Sequence, residues 1–167
     1  MKKVSLMIAI LLLFAKADAQ IREAKLGIGA DFGFPMTGFT EDAEYGVGGS
    51  LFYQQPAATN LNITVNVGYL RFNGKQTIGT LRYRQSFIPV KAGARYFLGD
   101  YLYGGAEIGA ILPATSGQNT AFAYGPNLGA EFPVSDKGSI DIGLRYESWL
   151  RNNGNVSFLG LRAGFNF

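Results

Sequence analysis

The residues with the most chemistry to offer are five cations, Lys25, Lys91, Arg95, Arg145 and Arg162, and five carboxylates, Asp31, Glu107, Glu131, Asp141 and Glu147. Paired carboxylates such as Glu107 and Glu131 can support acid–base catalysis. Nucleophile–base chemistry is excluded, because the 167 residues contain no His and no Cys. A Ser-His-Asp triad, a thiolate nucleophile, a zinc site of imidazoles or thiolates and a disulfide framework all go with them. Glu41, Asp42 and Glu44 form an acidic cluster with the oxygen donors a divalent cation prefers. Three carboxylates on one loop read more simply as solvated, so no metal and no cofactor is expected.

What the ten charges can do depends on the elements that carry them. Lys2 and Lys3 precede an unbroken apolar run from Val4 to Ala15, and Ala17-Asp18-Ala19 offers small residues at both positions a signal peptidase reads. Residues 1–19 are read as an export signal and 20–167 as one domain. The run is shorter than the ~20 residues of a membrane-spanning helix. Removing Lys2, Lys3, Lys16 and Asp18 takes the formal charge from +3 to +1. Nothing in so balanced a chain points to a nucleic-acid partner.

After the signal, apolar residues recur at period two, the mark of a strand with two unlike faces. Leu61, Ile63, Val65, Val67 and Tyr69 alternate with Asn62, Thr64, Asn66 and Gly68, and seven further segments repeat the pattern. Eight strands are expected. Short turns fall at Pro56 to Asn60, Gly99-Asp100 and Ser135 to Gly138. Long connections fall at Met36 to Glu44, Asn73 to Ser86, Pro113 to Ala123 and Leu150 to Asn155. Pro89, Pro126 and Pro133 are expected at strand ends or bulges, since proline donates nothing to a ladder.

Alternation alone fits both an exported soluble barrel with an apolar core and a membrane barrel with an apolar exterior. Three features favour the membrane. Phe34, Tyr45, Tyr69, Tyr124 and Tyr146 stand at one end of the apolar faces, and Tyr53, Tyr96, Phe132, Phe165 and Phe167 at the other. Two aromatic rings are what two lipid–water interfaces select. The polar face is crowded with Gly, which weakens a solvent-facing strand but suits a narrow lumen. The 11 residues from Leu61 to Arg71, at ~3.3 Å each and ~45° tilt, rise ~26 Å against an apolar band of ~25 Å. The fold expected is an all-β, eight-stranded, antiparallel up-and-down transmembrane barrel.

The signal, the alternating connections, the aromatic rings and the last strand make the chain similar to the small eight-stranded outer-membrane barrels of Gram-negative bacteria, of OmpX and OmpA membrane-domain type. That resemblance implies an outer-membrane location and a monomer. It also implies that Phe165 and Phe167, ending the pattern Leu159, Leu161, Ala163, are read by the outer-membrane assembly machinery. Enzymes on barrels of this size, the lipid A deacylases and palmitoyltransferases, use a catalytic His that this chain lacks.

By strand parity the ten charges face inward, where an eight-stranded barrel is just filled by side chains. Equal numbers of each sign favour a paired plug over an ion path, which would need a one-signed ring. Trp149 is read as an anchor at the membrane interface. Arg71, Lys75, Arg82 and Arg84 occur without an acid between Arg71 and Gln85. Parity puts Arg71, Arg82 and Arg84 outward, at the height of lipopolysaccharide phosphates that a guanidinium binds bidentately. The expected role is a non-catalytic envelope or surface-presenting barrel. A narrow solute channel of OmpW type and a soluble lipocalin-like carrier are the alternatives.

Overall fold

The computed structural model describes residues 24–38, 43–76, 82–114, 119–151 and 154–167. The segment read as an export signal, and Glu41 and Asp42 of the acidic cluster, lie outside the described residues. Eight strands follow in order: β1 Lys25–Pro35, β2 Ala43–Ala58, β3 Leu61–Gln76, β4 Arg82–Phe97, β5 Leu102–Pro113, β6 Ala121–Pro133, β7 Ser139–Arg151 and β8 Gly154–Asn166. Each pairs antiparallel with the next, and β8 closes on β1 in register from Gly27↔Asn166 to Pro35↔Phe158. Backbone hydrogen bonds carry the seam further in both directions. The Phe167 N–H donates to the Leu26 carbonyl at 2.7 Å, and the Met36 N–H to the Ser157 carbonyl at 2.8 Å. Closure matters in hydrocarbon, where an unpaired edge would leave backbone groups costing several kcal/mol each.

The alternation resolves into two faces. Val65, Ile108 and Ile142 point outward with 43, 57 and 47% of their surface exposed, whereas Asn62, Thr64 and Asn66 are buried within. A soluble carrier would hold the aliphatics around its axis, so that alternative is overturned. Both sets of ring residues also face outward, from Phe34, Tyr45 and Tyr69 at the loop end to Tyr53, Tyr96 and Phe165 at the turn end.

Three local expectations need correction. The segment read as a long connection from Leu150 to Asn155 is mostly strand, because the β7–β8 ladder runs on through Leu150↔Asn155 to Arg151↔Gly154 and leaves only residues 152 and 153 between the strands. The segment read as a long connection from Asn73 to Ser86 is mostly strand, with β3 and β4 still paired at Asn73↔Arg84 and Gln76↔Arg82. The ladder runs on above the apolar band, where nothing greasy marks its period. Pro133 does end β6, but Pro89 and Pro126 lie inside β4 and β6. At Pro89 the partners beside Gly68 and Tyr69 drop out of the β3–β4 ladder, yet Val67↔Val90 and Leu70↔Phe87 keep one register. The β6–β7 ladder breaks in the same way beside Pro126, between Tyr124↔Ser148 and Asn127↔Arg145. Each proline thus forgoes a donor on one side without forming a bulge, while the ladder on its other side stays whole at Pro89↔Ile111 and Ala106↔Pro126.

Candidate functional site in the lumen and on the outer rim

The lumen fills in tiers. Nearest the turn end, Lys25 Nζ donates to Glu131 Oε1 at 2.6 Å, and the same carboxylate accepts from Ser139 Oγ and Gln54 Nε2. In the next tier Arg95 is ion-paired with Asp141, which also accepts from the Tyr103 hydroxyl at 3.0 Å. The Arg95 guanidinium lies between two rings, 4.1 Å from the centre of Phe52 and 4.2 Å from that of Tyr103.

Midway along the axis three cations and three anions interlock. Lys91 Nζ sits 2.7 Å from Glu107 and 2.8 Å from Glu147. Arg145 bonds Glu147 through Nε at 2.9 Å and Asp31 through Nη1 at 2.6 Å. Arg162 reaches the same Asp31 oxygen at 3.3 Å, and Ser50 donates to the other. All ten charges therefore stand in ion pairs, and each tier is neutral. Carrying such groups out of water is tolerable only because each finds an opposite charge and further hydrogen bonds. Gly160 on β8 leaves room for Arg145, since a Cβ there would lie 2.8 Å from Nε.

Above the ions, toward the loop end, lies a tier that the sequence reading missed. Phe72, Phe87, Trp149 and Phe158 meet edge to face, with ring centres 4.8 to 6.3 Å apart. Leu70, Ile111 and Ala123 pack against them. Such rings bring both burial and favourable quadrupole contacts. Gly46 admits Phe72, because a Cβ there would come within 2.8 Å of the ring. Trp149 is fully buried in this tier and is no interface anchor. Its parity is that of Arg145 and Glu147, and its Nε1–H donates to Glu147 Oε1 at 2.7 Å. The signal was available in the sequence: Phe72, Phe87, Trp149 and Phe158 all occupy the Gly-and-charge face of their strands.

Little space remains between the tiers. Two cavities of about 10 Å³ each lie among the ions. A wider pocket of about 310 Å³ opens at the turn end beside Lys25, Phe97, Asp100, Glu131 and Lys137. On the outer surface, Arg71 and Arg84 continue the outward rows of β3 and β4 just beyond Tyr69 and Ser86, whose hydroxyls are joined at 2.7 Å. Arg71 stands opposite Ser86 in the ladder and Arg84 opposite Asn73. The Arg82 backbone pairs with Gln76, and its side chain is outside the described residues. Phe165 and Phe167 both face outward at the turn end of the closing seam.

The sequence profile of the outer membrane protein beta-barrel domain matches residues 5–167. No curated protein matches the chain. Among solved structures it is similar to Ail, the attachment invasion locus protein of Yersinia pestis, at 18% identity, covering 86% of this chain and 97% of that one, with a TM-score of 0.56. Neisserial surface protein A gives 15% identity, 89 and 98% coverage and a TM-score of 0.59. The N-terminal β-barrel domain of Pseudomonas aeruginosa OprF gives 15% identity, 89 and 100% coverage and 0.51. At these identities the likeness is one of fold.

Proposed function

The chain belongs to the outer membrane protein β-barrel domain family, and from that membership we propose that it is a non-catalytic wall protein of the Gram-negative outer membrane. Its lumen passes no solute, and its loop-end rim contacts lipopolysaccharide. The observation carrying this reading is the pair of successive seals, the aromatic tier of Phe72, Phe87, Trp149 and Phe158 above the neutral ion tiers. Ion paths are built from rings of one sign or from a hydrated bore. Here each charge is cancelled by a neighbour, and the free space among the ions would take about one water at a time. Purified protein in planar bilayers is expected to give no reproducible conductance step. A reproducible unitary step would return the narrow channel to first place.

The rim carries the second half of the proposal. Arg71 and Arg84 stand in the outward rows one step beyond the ring of hydroxyl-bearing aromatics, Arg84 exposed and Arg71 half-buried with its Nε covered. A guanidinium at headgroup height matches two phosphate oxygens at once. The triple variant Arg71→Gln, Arg82→Gln, Arg84→Gln is expected to bind lipopolysaccharide more weakly than the wild type in the same detergent. Equal binding overturns the contact. The assembly machinery is the other partner this reading calls for, with Phe165 and Phe167 as the side chains it meets.

A further inference from the structure

The seam where β8 meets β1 closes the barrel, yet the residues along most of it do little to fix where it closes. A slide of one residue would turn Ile28, Ala30 and Phe32 into the lumen, so the alternation itself excludes it. A slide of two residues keeps every apolar side chain against lipid. Ile28, Ala30, Phe32 and Phe34 would only exchange one apolar partner on β8 for the next. On the inner side the facing pairs Gly29↔Gly164 and Gly33↔Gly160 are bare backbone. Glycine-rich strands specify register weakly, whereas a closed barrel needs one fixed shear.

We propose that Lys25 and Asp31, the two charged residues of β1, are the register key of this seam. They stand about 20 Å apart along the strand, and both reach across the closure. Lys25 Nζ donates to Glu131 on β6 at 2.6 Å and to Ser139 on β7 at 3.1 Å. Asp31 faces Arg162 on β8, 3.3 Å away, and accepts from Arg145 on β7 at 2.6 Å. If β1 slid two residues toward the turn end, Asp31 would stand opposite Gly164, whose partner on β7 is Asp141. One buried carboxylate would then approach another, and Lys25 would be drawn away from Glu131. If β1 slid toward the loop end, Arg162 would face Gly29 in place of Asp31. Asp31 would stand opposite Gly160 and retain Arg145, the β7 partner of that glycine, but not Arg162. Either slide leaves a buried charge worse partnered, which is strongly destabilising, while the lipid face and the glycine backbone accept both.

The test reads the register itself, as cross-strand amide NOEs on the refolded chain in deuterated detergent micelles. In the wild type these are expected to join Ala30 to Ala163 and Phe32 to Leu161, as the ladder pairs them. The double variant Lys25→Gln, Asp31→Asn is expected to add a second set shifted by two residues, joining Ala30 to Leu161 or to Phe165. Arg162→Gln is the milder probe, because Asp31 keeps Arg145. It is expected to add the loop-ward register alone, Ala30 to Leu161. Charges that only stabilise the fold would lower the unfolding midpoint and leave a single set. The wild-type set alone in both variants therefore overturns the proposal. So does the wild-type set alone in Arg162→Gln, should the double variant fail to fold.

Discussion

Glu147→Gln is the substitution that best separates a dry, plugged lumen from a wet one. The carboxylate is 3% exposed and accepts from Lys91 Nζ, Arg145 Nε and Trp149 Nε1. Glutamine keeps the shape and one acceptor oxygen, so packing against Trp149 survives while one negative charge leaves a tier of three cations and three anions. Breaking a buried pair from one side costs about 3–5 kcal/mol. Lys91 retains Glu107 and Arg145 retains Asp31, which argues for the lower end, about 3 kcal/mol, or roughly a hundredfold in the folded-to-unfolded ratio. Were the lumen hydrated, solvent would screen the pair down to about 0–1 kcal/mol. Reversible urea unfolding in lipid vesicles measures the difference. Heat-modifiable migration on a gel should serve as the readout, because it does not depend on the Trp149 environment that the variant itself touches. A loss of less than about 1 kcal/mol refutes the reasoning and points to a water-filled bore.

Two further perturbations test the packing and the orientation of the wall. Gly160→Ala would place a methyl 2.8 Å from Arg145 Nε and is expected to cost about 1–3 kcal/mol by displacing a doubly paired side chain. Gly104→Ala, with nothing within 4 Å of the added carbon, is expected to leave stability unchanged or slightly raised in the same titration. Val65→Arg, in the middle of an outward row of β3, is expected to cost about 2–4 kcal/mol in a bilayer of normal thickness. A neutral result there would mean that Val65 does not meet acyl chains.

The barrel was legible because lipid enforces its pattern residue by residue. From Leu61 to Tyr69 every second side chain must be apolar, and the break from that rule at Arg71 marks the edge of the band rather than the end of the strand. Above that edge the backbone ladder continues with Asn73, Arg84 and Gln76, residues that carry no period, so the strand was invisible there. The interior was only half legible. Equal numbers of opposite charges on the inward face suggested pairing, but which carboxylate meets which cation depends on shear around the barrel, and Lys25 finds Glu131 from 106 residues away. At Trp149 residue type and parity point in opposite directions: a Trp near a strand end suggests an interface, yet its odd number aligns it with Arg145 and Glu147, and parity wins. Pro89 and Pro126 sit inside strands for a related reason. A lost donor can be absorbed as a local gap when the flanking pairs hold the register, as Val67↔Val90 and Leu70↔Phe87 do.

The neutrality of each tier has an electrical corollary. An unbalanced charge moved through a potential gains about 2.3 kcal/mol per 100 mV, enough to tilt a loosely held plug. Lys25 with Glu131, Arg95 with Asp141, and the sextet around Arg145 each sum to zero at their own depth. A Donnan voltage between the cell's surroundings and its periplasm therefore finds no net handle at any of these three depths, and shifts in external ionic strength leave those pairs where they are.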